Sequence, residues 1–396
     1  MNEADAGTLA EGFAELGMVP GVELDDADLA VLVTCAVRQH AEDRASSKLG
    51  ELAEWKRARP GRAIALTGCM AGEHGSGLLG RFRQLDYVFD MREPEGFFAR
   101  LRDLYQGALE GPVPLPASDR LLAYLPVIHG CNEMCTYCIV PFVRGRERSR
   151  TVAQVVDHAR RLADRGVREI TLLGQNVNSY RDPDDGSDLA ALMAQVDQVA
   201  GLARLRFLTS HPRNASARLF AAIADLPSAC EQLHLPVQSG SDSCLRRMKR
   251  EYSIGEYREC LERARARVPD LGLSTDIIVG FCGETEAEFD QTLGLLREVE
   301  FDQVHVQAYS PRPGTAAHRR PDDIPLPAKK ERLQRVLALQ RKISQSRNQR
   351  LVGTSVEVLV EGQGEDGRSF GRTRQNRVTW LGSAAPAGAT VVARVV

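Results

Sequence analysis

The sequence predicts an α/β protein with an amino-terminal Rossmann-like parallel sheet, a partial (β/α)6 barrel and a small carboxy-terminal β-barrel. In residues 1–105 and again in 121–325, short apolar runs alternate with segments of helical periodicity. Strands that alternate with helices in this way form parallel sheets. Residues 106–120 are rich in Gly and Pro, a composition typical of a linker. After residue 350 the pattern changes to short strands separated by glycines, which indicates a compact β structure.

The first segment, residues 1–105, predicts a domain with two cysteines in matching places. Its strands are expected at Leu29–Val33, Ala63–Thr67 and Tyr87–Phe89, and its helices at Ala6–Leu16, His40–Arg59 and Glu95–Tyr105. Cys35 and Cys69 each lie just past a predicted strand, at the edge where open α/β sheets bind ligands. These two thiols could share a metal ion, or they could be two small buried side chains, a common role for cysteine.

The second segment, residues 121–349, contains six predicted strand–helix units followed by a basic helix at Ala328–Arg350. The strands are expected at Ala123–Ile128, Glu169–Leu173, Leu205–Thr209, Gln232–Leu235, Ser274–Val279 and Gln303–Tyr309, and the helices between them at Val152–Arg165, Leu189–Val199, Ala215–Leu226, Ile254–Ala264 and Glu284–Val299. Functional residues of such barrels gather at the carboxyl ends of the strands. Three cysteines follow the first strand and Gly174-Gln-Asn176 follows the second, which predicts a site at this end.

The third segment, residues 350–396, predicts a small β-barrel. Its strands are expected at Ser355–Val360, Phe370–Thr373, Arg377–Trp380 and Thr390–Val396. Oligonucleotide-binding barrels are built in this way, but a passive β appendage is equally compatible with the sequence.

The charge is balanced overall and basic locally. The net charge of −2 argues against a uniformly basic nucleic-acid-binding protein. Residues 329–350, however, hold eight Lys or Arg against one acid, and Arg144, Arg146, Arg148 and Arg150 cluster after the three cysteines. Local basic patches are the electrostatic signature of a nucleic-acid partner, although a solvated helix face gives the same pattern.

The composition indicates a cytoplasmic protein. No stretch approaches the roughly 18 apolar residues of a membrane span, and the chain opens on an acidic and polar run in place of a signal peptide. In a reducing compartment, nine cysteines indicate metal binding or catalysis and not disulfides.

The most informative motif is the C-x3-C-x2-C spacing of Cys131, Cys135 and Cys138. Thiolates are soft ligands that select iron–sulfur clusters, zinc or copper(I). A cubane cluster ordinarily takes four cysteines, so three leave one iron open to a substrate. A structural zinc site is the alternative, and it requires a fourth ligand nearby, for which His129 is available.

With these residues in view, the chain resembles the MiaB-type methylthiotransferase family over nearly all of its length. The similar runs are His129–Ser149, Ile170–Tyr180, His234–Ser241, Ser274–Gly280 and Tyr309–Thr315, together with Thr34–Arg38 and Gly68-Cys69 near the start. Val33 departs from the family pattern, in which an asparagine precedes the Thr-Cys pair. The tail is similar to the TRAM RNA-binding domain.

The resemblance implies two 4Fe-4S clusters and S-adenosylmethionine (SAM). Cys131, Cys135 and Cys138 would hold the cluster that cleaves SAM, and Cys35 and Cys69 would be two of three ligands of an auxiliary cluster. The remaining ligand in the family is its first cysteine, which follows the first strand and precedes the part of the family sequence that aligns with Met1. We therefore expect that the chain lacks the first strand and the first cysteine of the family. Either the true start lies upstream or a ligand has been lost. We expect the former, because a sheet without its first strand leaves an unpaired edge.

The resemblance also implies roles for individual side chains. Tyr137 is expected near the SAM adenine, and Gly174, Gln175 and Asn176 near the SAM amino and carboxylate groups. Candidates for contact with RNA phosphate are Arg144, Arg146, Arg148, Arg372 and Arg374, and the SAM carboxylate is the alternative partner for the first three.

The implied reaction is methylthiolation of carbon 2 of N(6)-isopentenyladenosine next to the anticodon of tRNA. The implied partners are a tRNA anticodon stem-loop, SAM and an electron donor such as flavodoxin or ferredoxin, with the protein acting as a monomer away from membranes. Three alternatives remain: methylthiolation of threonylcarbamoyladenosine in tRNA, methylthiolation of a ribosomal protein, or an RNA-binding remnant without catalysis.

Overall fold

The structure, a computed structural model, describes residues 1–35, 39–105, 111–113 and 120–396, so most of the predicted linker lies outside the described residues. The chain divides into two compact units. The amino-terminal unit comprises residues 1–117, 129–134 and 138–148, and the main unit comprises residues 118–128, 135–137 and 149–396.

The amino-terminal unit contains a parallel sheet, as the sequence predicts. Its strands are β1 (Leu29–Thr34), β2 (Ala63–Gly68) and β3 (Tyr87–Val88), paired in the order β1-β2-β3. Its helices are α1 (Asn2–Glu15), α2 (Gln39–Ala58), α3 (Cys69–His74), α4 (Gly77–Arg81), α5 (Glu95–Leu104) and α6 (Val140–Val143). Alternate residues of β2 face opposite sides of the sheet. Ile64 and Leu66 therefore pack with Leu49 of α2, whereas Ala65 packs with Phe97 of α5.

The strands between residues 122 and 308 include the six predicted ones, with the first divided into β4 and β5 and with β6 as an addition. In chain order they are β4 (Leu122–Pro126), β5 (Ile128–His129), β6 (Arg148–Ser149), β7 (Glu169–Leu173), β8 (Arg204–Phe207), β9 (Gln232–His234), β10 (Gly272–Val279) and β11 (Gln303–Ala308). The helices are α7 (Val152–Asp164), α8 (Leu189–Asp197), α9 (Ala217–Asp225), α10 (Asp242–Met248), α11 (Ile254–Arg267) and α12 (Glu286–Val299). Helices α7, α11 and α12 begin with capping boxes at Thr151, Ser253 and Thr285, which satisfy their first N–H groups.

Six of these strands form two parallel sheets, with the orders β4-β7-β8 and β9-β10-β11. A single parallel bridge between Leu205 and Ala229 links them. The ladder does not continue beyond this bridge, and a continuous barrel is not seen in the described residues. The buried core runs through both sheets and their helices, so the helices pack against both sheets.

The last segment consists of a long helix and an antiparallel sheet. Helix α13 (Leu326–Gln349) is followed by β12 (Ser355–Gln363), β13 (Ser369–Thr373), β14 (Val378–Trp380) and β15 (Thr390–Arg394). The strands pair in the order β14-β13-β12-β15. The predicted strands are present, but in the described residues they form an open sheet, and the predicted closure into a barrel is not seen.

Buried arginines fix this sheet to the rest of the main unit. Arg206 on β8 donates to Glu169 at 2.9 Å and to the carbonyl oxygens of Thr373 and Arg374 at 2.9 and 2.6 Å. Arg204 donates to Glu357 at 3.0 Å. Because these guanidinium groups are almost fully buried, they act as structural anchors.

None of the helices in the described parts of the chain has the length and apolar character that a transmembrane span requires.

Candidate functional site

Two neighbouring strands bring Cys35 and Cys69 to the same edge of the amino-terminal sheet. In the β1–β2 register the last residues of the two strands lie opposite each other, and each cysteine follows directly. The Thr34 hydroxyl donates to the carbonyl oxygen of Thr67 at 2.7 Å and accepts from the N–H of Met70 at 3.2 Å. These bonds tie the residue before Cys35 to the backbone around Cys69. The predicted strand-end positions are confirmed, and the role of these thiols as metal ligands stays a prediction.

Gly68 permits the close approach of the two strand ends. Its φ is +91°, a region that other residues rarely adopt, and a Cβ atom there would lie 2.3 Å from the carbonyl oxygen of Thr34. A side chain at this position would therefore push the two cysteine-bearing loops apart.

Cys69 is buried beside a guanidinium group. Nε of Arg144 donates to Sγ of Cys69 at 3.2 Å, and Nη2 of Arg144 donates to the carboxylate of Asp5 at 3.1 Å. Burial by itself lowers the pKa of Arg144, but the negative charges of Cys69 and Asp5 outweigh it, and the pKa is raised. A charged donor beside the sulfur favours the thiolate, which is the form that binds metals.

The buried location of Arg144 differs from the expectation that its side chain contacts RNA phosphate. Arg144 is 9% exposed and its donors point at Cys69 and Asp5, a placement that does not support phosphate contact. The partner Asp5 is 139 residues away in sequence, which is why the sequence gives no signal for the pair.

The three cysteines of the C-x3-C-x2-C motif are distributed over both units. Cys131 and Cys138 belong to the amino-terminal unit, and Cys135 belongs to the main unit. The N–H of Cys131 donates to the carbonyl oxygen of Gly145 at 3.0 Å, and Cys138 lies two residues before α6. The convergence of the three thiols on one cluster stays a prediction.

Cys135 contacts an arginine that the sequence analysis missed. Nη1 of Arg250 donates to Sγ of Cys135 at 3.4 Å, and Nη2 donates to the carbonyl oxygen of Pro236 at 3.2 Å. Burial alone lowers the pKa of Arg250, but the groups of Tyr137, Tyr252 and Cys135 raise it well above its usual value. Arg250 is therefore a permanently charged donor beside this sulfur.

The backbone next to Cys135 is fixed by the end of helix α10. The N–H of Thr136 donates to the carbonyl oxygen of Met248 and its hydroxyl donates to that of Arg247, both at 2.9 Å. Tyr137 packs edge-to-face on Phe281, with ring centroids 6.4 Å apart. An aromatic surface beside a cysteine suits a nucleobase. The expected contact of Tyr137 with the adenine of SAM stays a prediction.

Polar side chains at the ends of β7 and β8 lack partners within the described residues. The side-chain N and O atoms of Gln175 and Asn176 and the hydroxyl of Ser210 are buried without a hydrogen bond to this part of the chain. An unpaired buried polar group costs about 1–3 kcal/mol. Gly174 is buried, and a Cβ atom there would lie 2.3 Å from Cγ2 of Ile128. The expected contact of Gly174, Gln175 and Asn176 with the amino and carboxylate groups of SAM stays a prediction.

His211, which follows β8, was also missed. Burial lowers the pKa of His211 to about 3, and the charges of Arg250 and Arg213 act in the same direction. Its Nδ1 accepts from the N–H of Arg213 at 3.3 Å, which identifies Nδ1 as the unprotonated nitrogen. The ring is therefore a neutral group beside Arg250 and Tyr252.

The remaining candidates for contact with RNA are two exposed arginines that follow the cysteine motif and two arginines of the antiparallel-sheet segment that pair with glutamates. Arg146 and Arg148 are exposed, and Arg148 lies 3.5 Å from Glu93. Arg372 pairs with Glu361 at 3.0 Å on the antiparallel sheet. Arg374 pairs with Glu231 at 2.7 Å and donates to two backbone carbonyls, so it holds the sheet against the main unit.

Two family models match the chain. The model of the radical SAM superfamily matches residues 125–296, and a model described as uncharacterized protein family UPF0004 matches residues 1–90. The fold and the cysteine motif thus define a radical SAM protein with a further α/β unit at its amino terminus.

Curated relatives resemble the chain over nearly its whole length. It is 41% identical to a tRNA-2-methylthio-N(6)-dimethylallyladenosine synthase of Moorella thermoacetica, an alignment that covers 96% of this chain and 89% of that protein. It is 42% identical to the synthase of the same name from Chlorobium luteolum, with 95% and 88% covered. The chain belongs to the MiaB-type radical SAM methylthiotransferase family.

Solved structures share the fold at low identity. The radical SAM methyltransferase TsrM from Kitasatospora setae matches with a TM-score of 0.55 and 13% identity, covering 73% of this chain and 65% of that one. The cobalamin-dependent SAM radical enzyme OxsB matches with a TM-score of 0.56 and 12% identity, covering 85% of this chain and 53% of that one. These likenesses concern the fold alone.

Proposed function

We propose that this chain transfers a methylthio group to carbon 2 of N(6)-isopentenyladenosine next to the anticodon of tRNA. The observation that supports this most strongly is the 41% identity over 96% of the chain to a synthase named for that product. Carbon 2 of an adenine carries an unactivated C–H bond, which side-chain acids and bases do not break at useful rates, so the reaction requires a cofactor.

In this proposal Cys131, Cys135 and Cys138 are the ligands of a 4Fe-4S cluster with one open iron for SAM. When bound, the cluster supplies the electron that cleaves SAM to the radical that removes the hydrogen. Arg250 donates to the sulfur of Cys135 and fixes its position, because the other donors of Arg250 are held by Pro236 and Tyr252.

The SAM molecule would lie at the carboxyl ends of β7 and β8. Gln175 and Asn176 offer the buried donors and acceptors that lack partners in the described residues, and they suit the amino and carboxylate groups of SAM. Tyr137 offers a ring face for the adenine. Gly174 lets the chain turn close to Ile128, where a larger residue would fill the space.

A second 4Fe-4S cluster, with Cys35 and Cys69 as two of its ligands, would supply the sulfur. The parallel register holds the two thiols at one sheet edge, and Arg144 stabilises the Cys69 thiolate. Soft thiolate ligands with a charged donor suit an iron–sulfur cluster.

The proposed partners follow from this chemistry. The exposed Arg146 and Arg148 and the half-exposed Arg372 are available for the RNA backbone. A flavodoxin or ferredoxin would provide the electron, and we place the monomeric protein in the cytoplasm because its tRNA substrate is found there.

Mass spectrometry of tRNA nucleosides tests the proposal. A strain that lacks the gene should accumulate N(6)-isopentenyladenosine without its 2-methylthio derivative, and the intact gene should restore the derivative. A gene with Cys135→Ala should not restore it, whereas one with Cys260→Ala, a buried cysteine on α11, should. An unchanged level of the 2-methylthio derivative in the deletion strain rejects the proposal. Loss of methylthiolation from threonylcarbamoyladenosine or a ribosomal protein would support the corresponding alternative.

A further inference from the structure

Three potential metal ligands lie together on the second parallel sheet, apart from the cysteines. His234 is on β9, Asp276 on β10 and His305 on β11, and one ligand atom of each lies within 4.8 Å of the other two. The strand register produces this grouping. Asp276 pairs with His305, and Ser274, two residues before Asp276, pairs with His234.

The strand alternation turns these side chains away from the core. Ile277, Val304 and Val306, the neighbours of Asp276 and His305 along their strands, belong to the buried core that the helices cover. Successive side chains of a strand point to opposite faces, so the three ligands share the other face. Asp276 is partly exposed and His305 is exposed, which leaves a path for an ion.

The spacing of the ligand atoms suits a metal ion. Nε2 of His234 lies 3.4 Å from Oδ2 of Asp276. Two ligands at about 2.0–2.2 Å from a tetrahedral ion lie about 3.4 Å apart, so these two atoms are already at the required separation.

A serine orients the first ligand. Nδ1 of His234 lies 2.9 Å from the hydroxyl of Ser274, which is buried. When the hydroxyl accepts from Nδ1–H, the lone pair is on Nε2 and points to Asp276, as is usual for histidines that bind metals. In the described residues the only ion-pair partner of Asp276 is His234, so Arg and Lys do not compete for its carboxylate there.

We propose that His234, Asp276 and His305 bind one divalent transition-metal ion, with Ser274 as the residue that positions His234. Two imidazoles and one carboxylate form the ligand set of catalytic zinc and mononuclear iron(II) sites and leave coordination positions open for water or a phosphate oxygen. The inference does not depend on the methylthiotransferase reaction.

Low-temperature EPR with Co²⁺ as the probe tests this site in the full chain loaded with its clusters under anaerobic conditions. High-spin Co²⁺ is paramagnetic, whereas 4Fe-4S clusters in their diamagnetic 2+ state give no EPR signal. The wild-type protein should bind one equivalent of Co²⁺ with a signal distinct from that of the aqueous ion. Zn²⁺ should displace it, since Zn²⁺ binds such sites more tightly, and Mg²⁺, which prefers oxygen ligands, should not. Displacement by Mg²⁺ would contradict the assignment.

Three variants and a control make the test specific. His305→Asn and Asp276→Asn should abolish the bound signal, and Ser274→Ala should weaken Co²⁺ binding about tenfold through loss of the orienting bond. His318→Asn changes an exposed histidine elsewhere and should bind Co²⁺ like the wild type. Because His305 is exposed, its variant should fold, as circular dichroism can verify. Equal Co²⁺ binding by wild type and His305→Asn, or no binding by the wild type, would overturn the proposal.

Discussion

The guanidinium group of Arg144 contacts two buried acidic groups, the carboxylate of Asp5 and the sulfur of Cys69. Removing one partner of a buried ion pair leaves an uncompensated charge, at a cost of about 3–5 kcal/mol. Arg144→Gln should therefore lower the free energy of unfolding by about 3 kcal/mol. In Asp5→Asn/Arg144→Gln the unpaired carboxylate is absent, and part of this loss should be recovered. Urea denaturation followed by circular dichroism measures both effects.

The exposed Arg146 provides the control for Arg144. Arg146→Gln should change the free energy of unfolding by less than about 0.5 kcal/mol, as is usual on a surface. Equal effects of the two substitutions would show that Arg144 is not a buried partner.

His211 should make stability depend on pH. Its pKa is lowered to about 3 by burial and by the charges of Arg250 and Arg213, whereas the unfolded chain has the ordinary value of 6.5. The unfolded state therefore binds more protons below pH 6.5. The stability that comes from keeping this ring neutral is full above pH 6.5 and is lost as the pH falls, by up to about 1.4 kcal/mol per pH unit.

The measurement compares urea denaturation at pH 7.0 and pH 5.5. Wild type should lose more stability over this interval than His211→Asn, which has no ring to protonate. His318→Asn should behave like the wild type, because that histidine is exposed. A pH dependence that is the same in His211→Asn and in wild type would contradict the account.

At the scale of elements, the close approach of β1 and β2 depends on Gly68. Gly68→Ala adds both a positive-φ strain and a clash with the carbonyl oxygen of Thr34. Gly61→Ala is a matched control, because Gly61 has nearly the same φ, +89°, but has no atom within 4 Å of the added Cβ. Gly68→Ala should be less stable than Gly61→Ala by about 1–3 kcal/mol, the usual cost of overpacking. Similar denaturation midpoints for the two variants would show that the strand ends need no glycine.

The same elements show what the sequence can and cannot predict. Strands β1, β2 and β7 lie within a residue of their predicted bounds, because each is an apolar run closed by Gly or a polar residue. The strand-end positions of Cys35 and Cys69 follow from this pattern alone. The contact of Arg250 with Cys135 spans 115 residues, and no local periodicity encodes such a pair.

At the scale of the whole molecule, charge patterns proved ambiguous. The basic helix α13 suggested either RNA contact or a solvated face, yet several of its arginines pair with core carboxylates, such as Arg332 with Glu284 at 2.7 Å and Arg347 with Asp302 at 3.0 Å. Composition cannot distinguish a cation that faces solvent from one that is paired inside the protein, because both appear as the same residue type. The cysteine spacing was more informative, since the metal chemistry restricts it.

The central claim is that three thiolates hold a cluster with one iron free for SAM. Its most direct test is the yield of 5′-deoxyadenosine when the anaerobically reconstituted chain receives SAM and a strong reductant. The wild type and the buried-cysteine control Cys260→Ala should both form 5′-deoxyadenosine, and Cys131→Ala, Cys135→Ala and Cys138→Ala should not. Failure of the iron-loaded wild type to form 5′-deoxyadenosine, or a yield from the three cysteine variants equal to that of the wild type, would contradict the claim.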